Sequence, residues 1–369
     1  MNCMKLNYLA SWGDVPEKAW SGTYWSMHEA LRRNGVELND FAIVGKNPLL
    51  SKLQNALRRV GLYHPKRDMG VEVIAQNRKR LRRIGKDEES IVFQYSEFLL
   101  DTPSRHTYLY IDLDVASVVE FNKRNEQFKK YSGFGDIEAK ALAKRAQMQG
   151  EYMNTCSGIF TMGNWLAKRL VEEEGIPAER VFHVGAGSNM HTELIDESKK
   201  AHCRLLFVGR DFERKGLGVV YDAFRILRQR MPHAELYVAG PCQNPISDPV
   251  GGYHFVGDVP FNEIAQLYNL CDVFCMPSYF EAYGLVFAEA LTFGLPCIGR
   301  NAWEMPYFIE DGKTGALIDD DNPEVLAEKM HAILSDDTYQ KNVQQRREQY
   351  IREYSWDTVA QRMIKVMFP

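Results

Sequence analysis

The chain is poor in features that staple, anchor or span. No apolar run approaches the ~20 residues that a membrane-spanning helix needs, and the first residues carry no apolar signal core. Cysteine is sparse and unframed: Cys3, Cys156, Cys203, Cys242, Cys271, Cys275 and Cys297 are odd in number and scattered over 369 residues. That pattern excludes a disulfide-stapled secreted fold and fits a reducing compartment. No His or Cys pair completes a zinc set around Cys271 and Cys275, which read as buried core thiols, and no metal site is expected. The net charge is only −4, which argues against a nucleic-acid binder. A cytoplasmic protein is expected, with contact at the inner membrane face left open.

The chain is 45% hydrophobic, enough for a packed core, and its length suits two domains. Short apolar runs alternate with helical patterns throughout. Strands are expected at 4–11, 41–44, 91–95, 107–113, 157–162 and 180–184, with a helix from Thr23 to Asn34 that Gly35 closes. The pattern restarts with strands at 204–208, 235–239, 253–256, 272–276, 296–299 and 315–318. Helices near 217–230, 261–270, 284–293 and 323–335 separate them, and 337–352 and 356–368 follow. Such alternation implies parallel sheets covered on both faces. The expected organisation is α/β, with two Rossmann-like doubly wound domains: 1–188, a polar linker at 189–202, and 203–355. The C-terminal helix, 356–369, is expected to pack back on the first domain. In such sheets ligands bind beyond the carboxyl ends of the strands, so chemistry belongs in the loops that follow them.

Two such loops stand out. The strand at 204–208 runs into Gly209-Arg210-Asp211-Phe212-Glu213-Arg214-Lys215-Gly216. If the loop folds back, Arg210 and Lys215 face one point, and a guanidinium with an ammonium suits a diphosphate. A solvated charged loop is the plain alternative. The strand at 272–276 ends in Pro277-Ser278-Tyr279-Phe280-Glu281-Ala282-Tyr283-Gly284, and a helix follows. At that junction Tyr283, Gly284 and Leu285 can bring main chain close to a ligand, and the first helical N–H groups favour an anion. Glu281 sits before the helix. Glu289 lies inside it among Val286, Phe287, Ala288, Ala290 and Leu291. A carboxylate in apolar company needs a partner, and sugar hydroxyls qualify.

From Leu205 to Leu317 the sequence resembles the C-terminal domain of the glycosyltransferase family 4 enzymes, also called glycosyl transferases group 1. The resemblance rests on Gly209-Arg210…Lys215-Gly216, on Glu281 and Glu289 in Glu-x7-Glu spacing, on Ala290-Leu-x-x-Gly294-x-Pro296, and on Asp311-Gly312-Lys313-Thr314-Gly315. In the first half it extends only to a pattern of strand, Ser-Gly loop and helix, and to Ile176-Pro177-Ala178-Glu179-Arg180-Val181. It implies a GT-B fold, two such domains facing a cleft, and retaining transfer of a hexose from a UDP-, GDP- or ADP-linked sugar without a metal or other cofactor. Arg210 and Lys215 would bind the diphosphate, Glu281 would position the donor sugar, and Glu289 would bind the ribose. Two departures matter. Ala282 stands where many relatives carry Gly, and Gly299-Arg300-Asn301-Ala302-Trp303-Glu304 replaces a Gly-Gly-x-x-Glu run. The sugar, the base and the acceptor are left open.

In the first half, Ser21 and Gly22 precede a helix start and read either as a phosphate or acceptor contact or as a plain cap. Enzymes of the family that the chain resembles often place an active-site His after a strand of this domain, and the nearest match by position here is Asp112; His106, before that strand, reads as surface. Asp112-Leu113-Asp114 raises a rival, a metal-dependent Asp-x-Asp transferase, beside the plainer reading of helix-capping acids. Asp319-Asp320-Asp321 reads as a turn capping the helix near Pro323. Gly185-Ala186-Gly187-Ser188-Asn189-Met190 lacks a third Gly, which argues against NAD. Residues 46–86 hold 12 Lys and Arg with only Asp68 and Glu72 as acids. They read as a peripheral anchor on anionic lipid, a groove for a charged acceptor, or a solvated face. The expected partners are a nucleotide sugar and a glycan, lipid-linked or small-molecule acceptor. The alternatives are a GT-B epimerase or phosphorylase, and a nucleotide-sugar sensor or non-catalytic partner subunit.

Overall fold

Apolar strands that each feed a helix leave the chain little choice but parallel pairing, because only a crossover returns the next strand to the same edge. The computed structural model describes residues 4–12, 19–20, 22–43, 77, 91–95, 106–196 and 203–369. The chain divides into two units. One is Met1–Ala186 with Trp356–Pro369; the other is Gly187–Ser355. The break falls at Ala186/Gly187 rather than at 188/189. Residues 187–188, expected in the first domain, and 189–196, expected in the linker, are grouped with the second unit, and 197–202 lie outside the described residues.

The first unit contains β1 (Met4–Ala10), α1 (Thr23–Arg33), β2 (Val36–Ala42), β3 (Ile91–Gln94), β4 (His106–Ile111), α2 (Val115–Arg124), α3 (Glu126–Tyr131), α4 (Ala139–Met153), β5 (Gly158–Thr161), α5 (Asn164–Glu172) and β6 (Val181–His183). The sheet order is β2-β1-β3-β4-β5-β6, parallel throughout. The strand expected at 41–44 instead starts at Val36, directly after the helix closes on Gly35 with φ +86°. It is an edge strand whose polar Glu37 and Asn39 face out, so no apolar run marks it. Tyr8, Phe93, Tyr110 and Phe160, fully buried, fill the sheet's core. Stacked pairs at 5.6 Å (Tyr8–Phe93) and 6.3 Å (Phe93–Tyr110) tie β1, β3 and β4 together.

The second unit contains β7 (Arg204–Val208), α6 (Leu217–Arg230), β8 (Glu235–Ala239), β9 (Tyr253–Gly257), α7 (Phe261–Leu270), β10 (Val273–Cys275), α8 (Leu285–Thr292), β11 (Cys297–Arg300), α9 (Met305–Phe308), β12 (Gly315–Ile318), α10 (Pro323–Ser335), α11 (Asp337–Gln345) and α12 (Arg347–Glu353). Its parallel order is β12-β11-β10-β7-β8-β9. The single helix expected at 337–352 breaks at Arg346, whose backbone (φ −95°, ψ 2°) leaves the helical region while its guanidinium pairs with Glu310 at 2.8 Å. The run Asp319-Asp320-Asp321 does not cap α10. Asn322 does, accepting from the N–H of Glu324 and Val325, while Asp321 pairs with Arg300.

α13 (Trp356–Met367) packs on α1. Arg33 and Asn34 both donate to Asp357 at 3.1 Å, and Arg362 donates to the Val184 carbonyl at 3.0 Å. Buried Val359, Ala360 and Met363 supply the apolar stripe of this helix.

Candidate active site

In the second unit the chain runs from β7 to β8 and β9 on one side, then crosses to β10 on the other. The order therefore reverses between β7 and β10, and that switch point is where a doubly wound sheet takes its ligand. The two loops singled out in the sequence are the ones that leave β7 and β10 at this place.

The loop after β7 delivers Lys215 immediately before Gly216, the left-handed cap of α6. Gly209 makes room for it. A Cβ at position 209 would lie 2.1 Å from the Lys215 Cδ, so the lysine stem crosses the glycine's bare face. The Nζ donates to Met276 Sδ at 3.3 Å and to Glu281 Oε2 at 3.4 Å. Arg214 reaches the same Glu281 oxygen at 3.3 Å and also donates to the Phe280 carbonyl and, at 3.0 Å, to Asp211. Lys215 and Glu281 are only 12% and 13% exposed, so the pair sits where water screens poorly. Burial alone would raise the Glu281 carboxyl, but Lys215 and Arg214 outweigh it and hold the group below the usual carboxylate range. Burial depresses Lys215, with Glu281 pulling it back.

The loop after β10 is fixed along its length. Arg300 donates to the Pro277 carbonyl at 3.4 Å, Ser278 Oγ to Phe280, and the Trp303 indole N–H to Tyr279 at 3.0 Å. Arg300, buried at the end of β11, is held by Asp321 at 2.6 Å and stacks 4.7 Å from the Tyr279 ring centroid. The run 299–304 that departs from the expected glycines is thus a brace for the Glu281 loop. Trp303 accepts a left-handed φ of 59° to serve it. The loop closes at Gly284, φ +102°, which caps α8. Leu285 opens the helix. The Tyr283 ring packs inward, edge-on to Phe308 at 5.1 Å, which leaves its main chain rather than its ring for a ligand at the helix start to meet. Glu289, one turn inside, is buried and accepts from Tyr268 Oη at 3.1 Å. Burial pushes its carboxyl up to about 7, against the opposing pull of Tyr268 and of the Lys215 charge.

Arg210 is placed differently from expectation. Its side chain is 78% exposed and forks onto Asp258, with contacts of 3.0–3.2 Å. The cations that converge on one point are Arg214 and Lys215. Sequence reasoning passed over Arg214 because three cations in one loop look alike; only the fold separates the half-buried Arg214 from the solvated Arg210.

Residues 194–353 match the family described as Glycosyl transferases group 1, a span that takes in nearly all of the second unit. The second unit is a group 1 glycosyltransferase domain. Among curated relatives, the D-inositol 3-phosphate glycosyltransferase of Corynebacterium urealyticum is 29% identical over 175 residues, 43% of this chain and 41% of that protein. The chain therefore spans less than half the length of this relative in that match. Among solved structures, sucrose-phosphate synthase from Thermosynechococcus elongatus matches 98% of both chains with a TM-score of 0.69 at 16% identity. Anabaena HepE, solved with UDP and glucose, matches 98% of both at 0.63 and 15%. The fold is GT-B.

Outside the glycosyltransferase domain, the first unit gathers Gly22 and Asp112 at the carboxyl end of its own sheet. Gly22 caps α1 with φ +84°. Asp112 follows β4, and its charge, after burial, helps push the Tyr24 hydroxyl up to about 12. Asp114 is buried and caps α2, taking the Ser117 N–H at 2.9 Å on one oxygen and the Ser117 hydroxyl on the other. The Asp-x-Asp segment is thus a cap beside a rim residue. His106 is exposed. Ser21 and the basic stretch at 46–86, Asn77 aside, lie outside the described residues.

Proposed function

We propose that the chain moves a hexose or related sugar from a nucleotide-diphosphate sugar to an acceptor hydroxyl, with retention at the anomeric carbon and without a metal ion. The observation that carries this is the convergence of Lys215 and Arg214 on Glu281 at the switch point of a group 1 glycosyltransferase domain. As the bond from the anomeric carbon to the phosphate oxygen breaks, its electron pair passes to the diphosphate. Lys215, Arg214 and the N-terminal amides of α8 are fixed dipoles and charges for that developing anion. The acceptor oxygen bonds to the anomeric carbon, and its proton passes to the departing phosphate oxygen.

Glu281, kept ionised by its two cations, accepts from sugar hydroxyls and orients the ring. Glu289 is placed for the ribose, and Tyr283, Gly284 and Leu285 supply main chain at the helix start. Arg210 would leave Asp258 for the diphosphate. UDP, GDP or ADP is the nucleotide class. The solved HepE with UDP and glucose supports a nucleotide-sugar donor. Gly22 and Asp112 belong to the acceptor side, and a glycan, lipid-linked or small polyol acceptor fits the relative named for inositol 3-phosphate. A cytoplasmic setting with peripheral contact through residues 46–86 completes the reading.

A melting-temperature panel of UDP-, GDP- and ADP-sugars tests it. A ligand at 100 times its Kd adds about 2.7 kcal/mol to the native state. One nucleotide class is expected to raise the melting temperature of wild type and not of Lys215→Ala, and transfer is expected to persist in EDTA. No shift from any class, or strict dependence on Mn²⁺, defeats the proposal. Binding without product in any acceptor screen favours a nucleotide-sugar sensor.

A further inference from the structure

The first unit has its own switch point, between β1 and β3, and its chemistry is aromatic. Trp12 lies two residues past β1, Trp20, Tyr24 and Trp25 surround the start of α1, and Tyr95 follows β3. Three of the six tryptophans of the chain fall within residues 12–25. Tyr8, Tyr95 and His28 are buried and form a floor, the two hydroxyls sharing a hydrogen bond and His28 Nε2 lying 3.0 Å from Asp40. Against it pack rings that are only partly buried. Trp12 stacks on Tyr8 at 5.6 Å and meets Trp25 edge-on at 6.4 Å; Trp25 stacks on His28 at 5.8 Å; Trp20 and Tyr24 close on Tyr95 at 5.6 and 4.6 Å. Trp20 holds a left-handed φ of 47°, a conformation bulky residues rarely adopt.

We propose that this basin binds the pyranose ring of the acceptor, which deepens the transferase reading and rests on it. A pyranose offers an apolar face of C–H groups and a rim of hydroxyls. The electron-rich faces of indole and phenol rings suit the first. Among the described residues, the ionised groups whose charges act on Tyr8 and Tyr24 are Asp40 and Asp112, both negative. Carboxylates accept from hydroxyls and repel phosphate, so the basin suits a neutral sugar and not a second nucleotide. Asp112, directly after β4, is near enough for its charge to act on the Tyr24 phenol, and it would hold an acceptor hydroxyl there.

The test is saturation-transfer NMR on the full chain with the methyl glycosides of glucose, mannose, galactose and N-acetylglucosamine. Ring C–H protons of at least one glycoside are expected to receive saturation. Trp25→Ala is expected to weaken that binding at least 10-fold and Trp25→Phe to restore most of it, while the melting shift given by the nucleoside diphosphate stays unchanged in both, which shows that the chain is folded. Silence from all four glycosides, or equal binding by Trp12→Ala, Trp25→Ala and wild type, overturns the proposal. So does tryptophan-dependent binding to phosphatidylinositol vesicles without any glycoside binding. Loss of the nucleotide response alone defeats the transferase reading and leaves glycoside binding measurable.

Discussion

Where the second sheet reverses, the loops after β7 and β10 bring Lys215 and Arg214 onto one largely shielded carboxylate; where the first sheet reverses, the loops after β1 and β3 bring indole and phenol rings onto a tyrosine–histidine floor. Among the described residues, the two sheets have six strands each and the same parallel construction. The architecture therefore determines where a ligand can bind, and the loop residues determine what it is. A charged switch point selects an anion. On the proposed reading, an aromatic one edged by carboxylates takes an uncharged ring. Substitutions that break one and spare the other are the direct tests of this division.

The largest effect is expected at the charged point. In Lys215→Met the Glu281 carboxylate keeps Arg214 alone, and in Glu281→Gln two cations face each other in a poorly screened place. Breaking one partner of a buried pair costs about 3 kcal/mol, mostly from the charge left behind. Turnover should fall by ~10²–10³, the scale for losing one fixed group that meets transition-state charge. The double variant Lys215→Met/Glu281→Gln is expected to regain much of the stability, read as denaturant midpoint, and none of the turnover. Wild-type turnover in either single variant removes the charged point from the mechanism.

Gly209→Ala is the next probe, because it adds one methyl group and no charge. The new Cβ would sit within 2.1 Å of the Lys215 stem, so the lysine must swing away from Glu281. Nucleoside diphosphate affinity is expected to fall about 10-fold, read by calorimetry, with glycoside binding by the first unit unaltered. An unchanged nucleotide affinity shows that Lys215 need not lie across that glycine.

The difference between the units also explains what could be read in the sequence. The second unit follows local rules. β7, β8, β12, α6, α7 and α10 begin and end where apolar runs, glycine caps and Asn322 put them, and Gly209, Gly216 and Gly284 mark the loops that matter. The first unit follows them at β1, at β3 to β6 and at α1, which lie close to expectation, but departs from them elsewhere. β2 is a polar edge strand, and the basin joins Trp12, Trp20, Tyr24, Trp25 and Tyr95 from two strand ends about 80 residues apart, with no fixed spacing to betray it. Its one local signal was the clustering of tryptophans before and inside α1. Arg210 shows the opposite failure. Its place directly after β7 was legible, but its partner Asp258 lies on the far side of β8 and β9, and long-range charge pairing leaves no mark in a loop.

Glu289 supplies a pH test within the charged half. Its carboxyl lies at about 7 in the folded chain, above the ~4.3 of an unfolded glutamate. Below pH 4 both states are protonated and the group is neutral to stability. As pH rises toward 7 the unfolded chain ionises first, so wild type loses stability by up to about 1.4 kcal/mol per unit over that window. Glu289→Gln, which keeps the acceptor for Tyr268, removes this loss. Its melting temperature should gain on wild type between pH 5 and 7 and then hold a constant lead. A lead that does not change with pH means that Glu289 titrates normally.

The smallest effect is expected from the pair at the rim. Arg210 and Asp258 are exposed, and such pairs contribute about 0–1 kcal/mol to stability, so neither Asp258→Ala nor Arg210→Ala should alter folding measurably. Their value is to show whether Arg210 serves the diphosphate. If it does, removing Asp258 releases a guanidinium that the carboxylate holds in the free protein, and nucleoside diphosphate affinity rises a few-fold at low salt. Arg210→Ala lowers it by a similar factor, and both differences fade at 1 M salt, where the screening length falls to about 3 Å. Equal affinities in all three proteins would leave anion recognition to Lys215, Arg214 and the amides of α8, and would confine the charged switch point to its buried core.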